Sequence, residues 1–221
     1  MTTAPPFERR DFLLLLASGL AAGAAWAAPA EPIVGLPCEG CDAVFAGMPA
    51  TFASSARIAP AGQPGEALQV QGQVLDAQGR PAAGIVIYAY HTDASGHYPS
   101  AAALRGSSAE PHGRLRSWVR SDAQGRYRFD SIRPGGYPGR IDPQHIHLHV
   151  IEPGRCTYYI DDIHFSDDAR LAPYRARHTA ALRGGSGLAE PRRDRSGTWQ
   201  VTRDIRLGLN IPGYASCALS P

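Results

Sequence analysis

The sequence predicts an all-β fold, an Ig-like β-sandwich with long loops and little helix. Three observations lead there. Short runs alternate apolar with polar residues, which is the period of a half-buried strand. Asp-x-x-Gly turns follow several of these runs at the spacing typical of a sandwich. No long amphipathic helix is evident anywhere in the 221 residues.

The elements follow in order. Residues 1–27 read as a twin-arginine export signal. Glu8-Arg9-Arg10-Asp11-Phe12-Leu13 leads into an apolar run, and Ala25-Trp26-Ala27 offers a cleavage site. The run is too short and alanine-rich for a membrane span. The expected location is therefore periplasmic or secreted, with no membrane contact after signal removal. Residues 28–66, rich in Pro, Gly and Ala, read as an extended N-terminal lead-in that wraps over the domain at 67–221. Leu68 to Val74 alternates as a strand, and Asp76-Ala77-Gln78-Gly79-Arg80-Pro81 turns. Ile85 to Tyr90 is apolar enough for a central strand, followed by a turn at Asp93-Ala94-Ser95-Gly96. Leu115 to Val119 and Tyr127 to Phe129 flank a third turn, Asp122-Ala123-Gln124-Gly125. After a bend at Ile132 to Gly136, His145 to Ile151 forms the next strand, and Val201 to Leu207 is expected as one strand near the end. Asp167 to Arg183 alone looks helical, and weakly.

Composition excludes some functions. The formal net charge is +2, with 22 basic residues that are all arginine. No concentrated basic face of the kind a nucleic-acid binder needs is evident. Arg192-Arg193 with Arg195 is the densest cluster, and Asp194 interrupts it, so it reads as a solvated loop. Glycine-rich nucleotide motifs and the G-x-S-x-G elbow are lacking. Four cysteines, Cys38, Cys41, Cys156 and Cys217, allow three pairings, and disulfides are expected after export. Cys38 and Cys41 read as a fastening for the N-terminal segment.

The chemistry lies in His145-Ile146-His147-Leu148-His149. Residues two apart in a strand share a face, so at least two imidazoles converge. Imidazole suits zinc, copper, iron and nickel alike. Tyr98, at the mouth of a turn, and Tyr137, between Gly136 and Pro138, narrow the choice. A phenol has a pKa of about 10, so it binds as phenolate only to a strong Lewis acid such as Fe(III). His149 reads as strand surface. Tyr90, His91, Arg105 and Trp118 are open between pocket, core and surface roles.

These residues sit in stretches that resemble the intradiol ring-cleavage dioxygenases, in the order and spacing of that family, across about residues 66–165. The matching stretches are Gly72-Gln73-Val74 with Asp76 to Pro81, Asp93 to Tyr98, Asp122 to Phe129, Ile132 to Pro138, and His145-Ile146-His147. Tyr158-Tyr159-Ile160-Asp161-Asp162 resembles the continuation seen in exported members. The resemblance implies one non-haem Fe(III) per chain. It implies Tyr98 as equatorial and Tyr137 as axial tyrosinate, His145 and His147 as the histidine ligands, and hydroxide as the remaining one. It implies that a catechol-type substrate is opened between its hydroxyls by O2 to a cis,cis-muconate-type product, with Tyr137 leaving the iron and taking a substrate proton. One departure stands out. Where the family commonly has an arginine three residues before the first histidine, this chain has Asp142, and Arg140 is the candidate to replace it. The lead-in is too short and too rich in Pro and Gly for the helical dimer-building segment of the catechol enzymes, so the chain looks closer to the protocatechuate-type catalytic core or to compact exported relatives, with a homo-oligomer left open. Two rival readings remain: a metal-free transthyretin-like or carboxypeptidase-regulatory-like binding module on the same Ig-like/transthyretin-like sandwich, and a zinc or copper site built on the histidines.

Overall fold

Apolar residues at every second position of the strands leave two faces that must be covered, and the chain covers them in different ways. A computed structural model describes residues 32–37 and 40–217. The strands in chain order are β1 (Ser55–Arg57), β2 (Ala67–Leu75), β3 (Val86–Tyr90), β4 (Arg116–Arg120), β5 (Arg126–Ile132), β6 (His145–Glu152), β7 (Cys156–Phe165), β8 (Leu188–Ala189), β9 (Arg192–Arg193), β10 (Trp199–Thr202) and β11 (Ile205–Arg206). One sheet runs β1-β5-β2-β10-β9, with β11 also on β2; the other runs β4-β3-β6-β7-β8. The core lies between them and takes Val70, Val74 and Phe129 from the first sheet and Ile87, Ile146, Leu148, Val150 and Ile160 from the second. The expected all-β sandwich is the observed architecture.

The outer face of the second sheet carries a separate cluster. Val86, Tyr88, Tyr90 and Ile151 pack there under Val44 and Phe45, from a short 3-10 turn at Cys41–Phe45. The segment before β2 is thus more than a lead-in: Ile33 bridges to Thr157, and β1 pairs in parallel with β5. The export signal expected at 1–27 lies outside the described residues.

Three expectations change. The run Val201 to Leu207 is broken into β10 and β11, both parallel to β2. At the break Arg203 is buried to 1% exposure and its guanidinium donates to the carbonyls of Gly184, Asp204, Asp161 and Arg183. Its own carbonyl accepts from Tyr127 Oη at 2.6 Å, and only glycine at 72 admits this approach, since a Cβ there would lie 2.0 Å from that oxygen. The helix expected over Asp167–Arg183 shrinks to α1 (Leu171–Arg175). Only Leu171 of that turn is buried, and a helix without an apolar stripe has little tertiary packing to hold it. Within the arginine cluster, Arg192 and Arg193 form β9 against β10 instead of a loop.

Cys156 and Cys217 form a disulfide across 61 residues and tie the C-terminal segment to β7. Cys41 is also disulfide-bonded, and Cys38, the fourth cysteine, lies outside the described residues.

Candidate metal centre

Two turns bring the tyrosines to the sheet. The Asp93 carboxylate accepts the amides of Ser95 and His97, a local motif that shapes the loop before Tyr98. The loop is then pressed against the one that bears Tyr137. Gly135 donates its amide to the Asp93 carbonyl at 2.8 Å, and Thr92 Oγ1 donates to the Gly135 carbonyl at 2.7 Å. Gly96 makes the closest contact: it has φ of +85°, and a Cβ would lie 2.2 Å from the Gly136 carbonyl oxygen. A side chain at 96 would therefore be strained by its own backbone and would push the two tyrosines apart.

The histidines come from the edge of β6 next to β7. Their partner strand is bulged: Ile146 pairs with Ile163 but Leu148 pairs with Ile160, so Asp161 and Asp162 together oppose His147. Bulges re-aim side chains. This one keeps Ile160 and Ile163 both in the core and turns Asp162 toward the histidine.

The four side chains singled out in the sequence converge. Tyr98 Oη lies 2.6 Å from Tyr137 Oη and 2.9 Å from His147 Nε2. Tyr137 Oη lies 3.1 Å from His145 Nε2 and 3.3 Å from His147 Nε2, and the two Nε2 atoms are 3.1 Å apart. The far side of each ring fixes its tautomer. His145 Nδ1–H donates to the Pro143 carbonyl at 2.7 Å, and His147 Nδ1–H donates to Asp162 Oδ1 at 3.0 Å. Both Nε2 atoms then present lone pairs to the same point. The tyrosine hydroxyls can donate to these lone pairs, a cation would bind all four donors at once, and a carboxylate–histidine pair is the usual way of orienting a metal ligand.

Electrostatics agree with a cation site. Burial, and secondarily His147, push His145 down to about 4, so it is neutral and able to ligate at neutral pH. Burial and then the adjacent Tyr137 phenol push Tyr98 up, so a phenolate there requires a positive charge beside it. Burial alone would raise Asp162, but the neighbouring His147 outweighs it and holds the carboxyl well below the usual range. The donor set, two phenol oxygens and two imidazole nitrogens, fits a hard trivalent cation better than zinc, which favours nitrogen and sulfur.

The remaining expectations divide. Arg140 reaches the cavity wall, its guanidinium 5.1 Å from the Tyr137 ring centre, but it is ion-paired with Asp142 at 2.9 Å and largely exposed. His149 is not strand surface. It is fully buried under Cys41, whose Sγ lies 3.7 Å from Nδ1, and its Nε2 has no hydrogen-bond partner among the described residues. The N-terminal segment that covers this end of the face is the reason. Tyr90 lines the cavity and stacks on His147 at 4.4 Å, while His91 is buried and bonded to Thr92 and Ser131. Sequence reasoning missed Asp162, the one acidic group that lies with His145 and His147 among the described residues. Its signal was the apolar pair Ile160 and Ile163, whose odd spacing requires a bulge in a strand with one buried face.

A family model described as a dioxygenase matches residues 45–183. The chain belongs to the intradiol ring-cleavage dioxygenase family. Among curated relatives, it is 30% identical over 117 residues to the protocatechuate 3,4-dioxygenase beta chain of Burkholderia cepacia, covering 50% of each chain. It is 30% identical over 115 residues to catechol 1,2-dioxygenase 2 of Acinetobacter lwoffii, covering 45% of this chain and 40% of that one. The chain thus spans about half the length of the curated relatives it matches, or less. Among solved structures, the dioxygenase domain of a carbohydrate-binding fusion protein from Streptomyces sp. SirexAA-E superposes with a TM-score of 0.55 at 22% identity, over 72% of this chain and 91% of that one. Catechol 1,2-dioxygenase of Pseudomonas arvilla C-1 superposes with a TM-score of 0.53 at 26% identity, over 71% and 58%. Membership of this dioxygenase family sets aside the metal-free module as the reading of the sandwich.

Proposed function

We propose that this protein is a non-haem ferric dioxygenase that opens a catechol-type ring between its two hydroxyls with O2, giving a cis,cis-muconate-type product. The observation that carries the reading is the meeting of Tyr98, Tyr137, His145 and His147 at one point, with every measured donor separation between 2.6 and 3.3 Å. These four side chains would hold the metal. When bound, Fe(III) supplies Lewis acidity and a redox partner that allows a catecholate to react with O2.

The chain's own residues do the rest. Asp162 and the Pro143 carbonyl hold the two imidazoles with Nε2 toward the metal. Tyr137 Oη lies within hydrogen-bond range of both Nε2 atoms and of Tyr98, and as a phenolate it would take a substrate proton and become the phenol. Arg140 above the Tyr137 ring faces the charge that develops on substrate, attenuated by its pair with Asp142. The twin-arginine pattern at residues 1–27 supports an exported enzyme, periplasmic or secreted.

The test is direct. Purified protein is expected to hold one iron per chain, to be burgundy, and to consume O2 with catechol, protocatechuate or hydroxyquinol. Tyr98→Phe is expected to shift or weaken the band while the fold persists. A colourless protein that binds no iron refutes the reading.

A further inference from the structure

The cavity above the four donors is larger than a one-ring catechol needs. It holds about 660 Å³, and pockets of roughly 300–1,000 Å³ enclose drug-sized ligands. A second cavity of about 240 Å³ adjoins it, and Asp162, His164 and Tyr174 line both. The lining reaches Gly40, Asp42, Ser108 and Pro111, and it also runs past β7 toward α1.

That direction is marked by rings. His164 sits opposite His145 across the β6–β7 pair, with ring centres 5.9 Å apart. The Tyr174 ring follows at 5.3 Å from His164 and stacks on exposed His178 at 4.2 Å. Tyr174 is half-buried, so a flat side chain stands at the junction of the two cavities.

The segment that carries Tyr174 is fastened to the metal centre's own loops. Arg170 donates to the Tyr137 carbonyl at 3.2 Å, and Gln144 donates its amide to Asp168 at 2.6 Å. Arg133 pairs with Asp167 through both terminal nitrogens, at 2.9 and 2.5 Å. The ledge is thus held at a set distance from the donors, as a specificity surface must be.

We infer that the preferred substrate is a catechol extended by a second planar ring, and that Tyr174 is the specificity-determining residue against which this second ring stacks. This rests on the ferric dioxygenase reading above. Aromatic pairs prefer offset or edge contacts; His178 already stacks on Tyr174, and the half-buried ring offers its remaining surface to a second ring.

The test uses the iron-loaded full chain with catechol and 4-phenylcatechol, scored by O2 uptake. The expected kcat/KM is roughly tenfold higher for 4-phenylcatechol, mostly through KM. Tyr174→Leu is expected to shrink the ratio of the two values roughly three- to tenfold, the scale of one aromatic pair. Tyr174→Phe, which keeps the ring, retains the ratio. Iron content and the burgundy band verify that each variant is folded. A wild-type ratio of one or less overturns the inference without recourse to any variant, as does a ratio unmoved by Tyr174→Leu. In either case cleavage of catechol itself leaves the dioxygenase reading standing. A protein that holds iron and cleaves neither compound overturns both.

Discussion

One strand face behaves in two ways. His145, His147 and His149 alternate along β6 on the side away from the core, yet the first two line an open cavity and the third is sealed. At the open end each ring has a fixed partner behind it, Pro143 or Asp162, and turns Nε2 toward the tyrosine oxygens in front. At the covered end His149 lies beneath Cys41 and among the rings of Tyr88, Tyr90 and Tyr159, and its Nε2 is unpartnered. The residue type is the same and so is the period. What differs is the cover: the N-terminal segment closes one end and leaves the other to substrate. A histidine therefore becomes a ligand through the donors that converge on it, more than through its place in the repeat.

The sharpest way to break this comparison is to remove one histidine from each end. His145→Ala is expected to abolish iron retention and colour, because it deletes one of four donors. His149→Leu is expected to keep both, measured by metal analysis and visible absorption. Equal loss of iron from the two variants would abolish the distinction between the ends.

The next largest effect concerns acid. Burial pushes His91 down to about 4 and His149 down to about 3. A histidine held neutral in the fold is protonated first in the unfolded chain, so stability is fully present above the unfolded pKa of about 6.5 and falls as pH drops toward these folded values. His91 alone accounts for a loss on the order of 3 kcal/mol between those limits. Denaturant midpoints at pH 7, 5.5 and 4.5 are expected to decline steadily, and a flat profile would contradict the neutral burial of these rings.

Asp162→Asn sharpens the comparison at the open end. It keeps the shape but removes the charge that orients His147, and it is expected to weaken iron binding about 10- to 100-fold, the usual scale for such orienting partners. Competition with a chelator measures it. The smallest effect belongs to the covered end: His149→Leu replaces an unpartnered buried nitrogen with an apolar side chain. Its thermal midpoint is expected to hold or to rise by the equivalent of about 1 kcal/mol.

The local signals were strong where structure depends on neighbours in the chain. Alternation located β2 and β6, an unbroken apolar run located β3, and Asp-x-x-Gly located the turns, because the Asp carboxylate bonds amides two and four residues on. The four donors were legible as residue types in a characteristic order. Their meeting at one point was expected only through the family resemblance; the packing that brings it about, Gly96 pressed against Gly136 and β6 lying beside them, is in no local pattern. Asp162 was hidden because a bulge breaks the parity on which alternation relies. The split at Arg203 was hidden because the carbonyls that satisfy a buried guanidinium lie in two distant segments.

By itself, then, the order of residues determined the strand periods, the turns and the four side chains able to grip a hard cation, since all of these rest on steric and chemical preferences within a few residues. Only the tertiary structure decided which histidines line the cavity, which carboxylate stands behind them and where the cavity extends. Those properties belong to the packing of segments far apart in the chain, and no local pattern carries them.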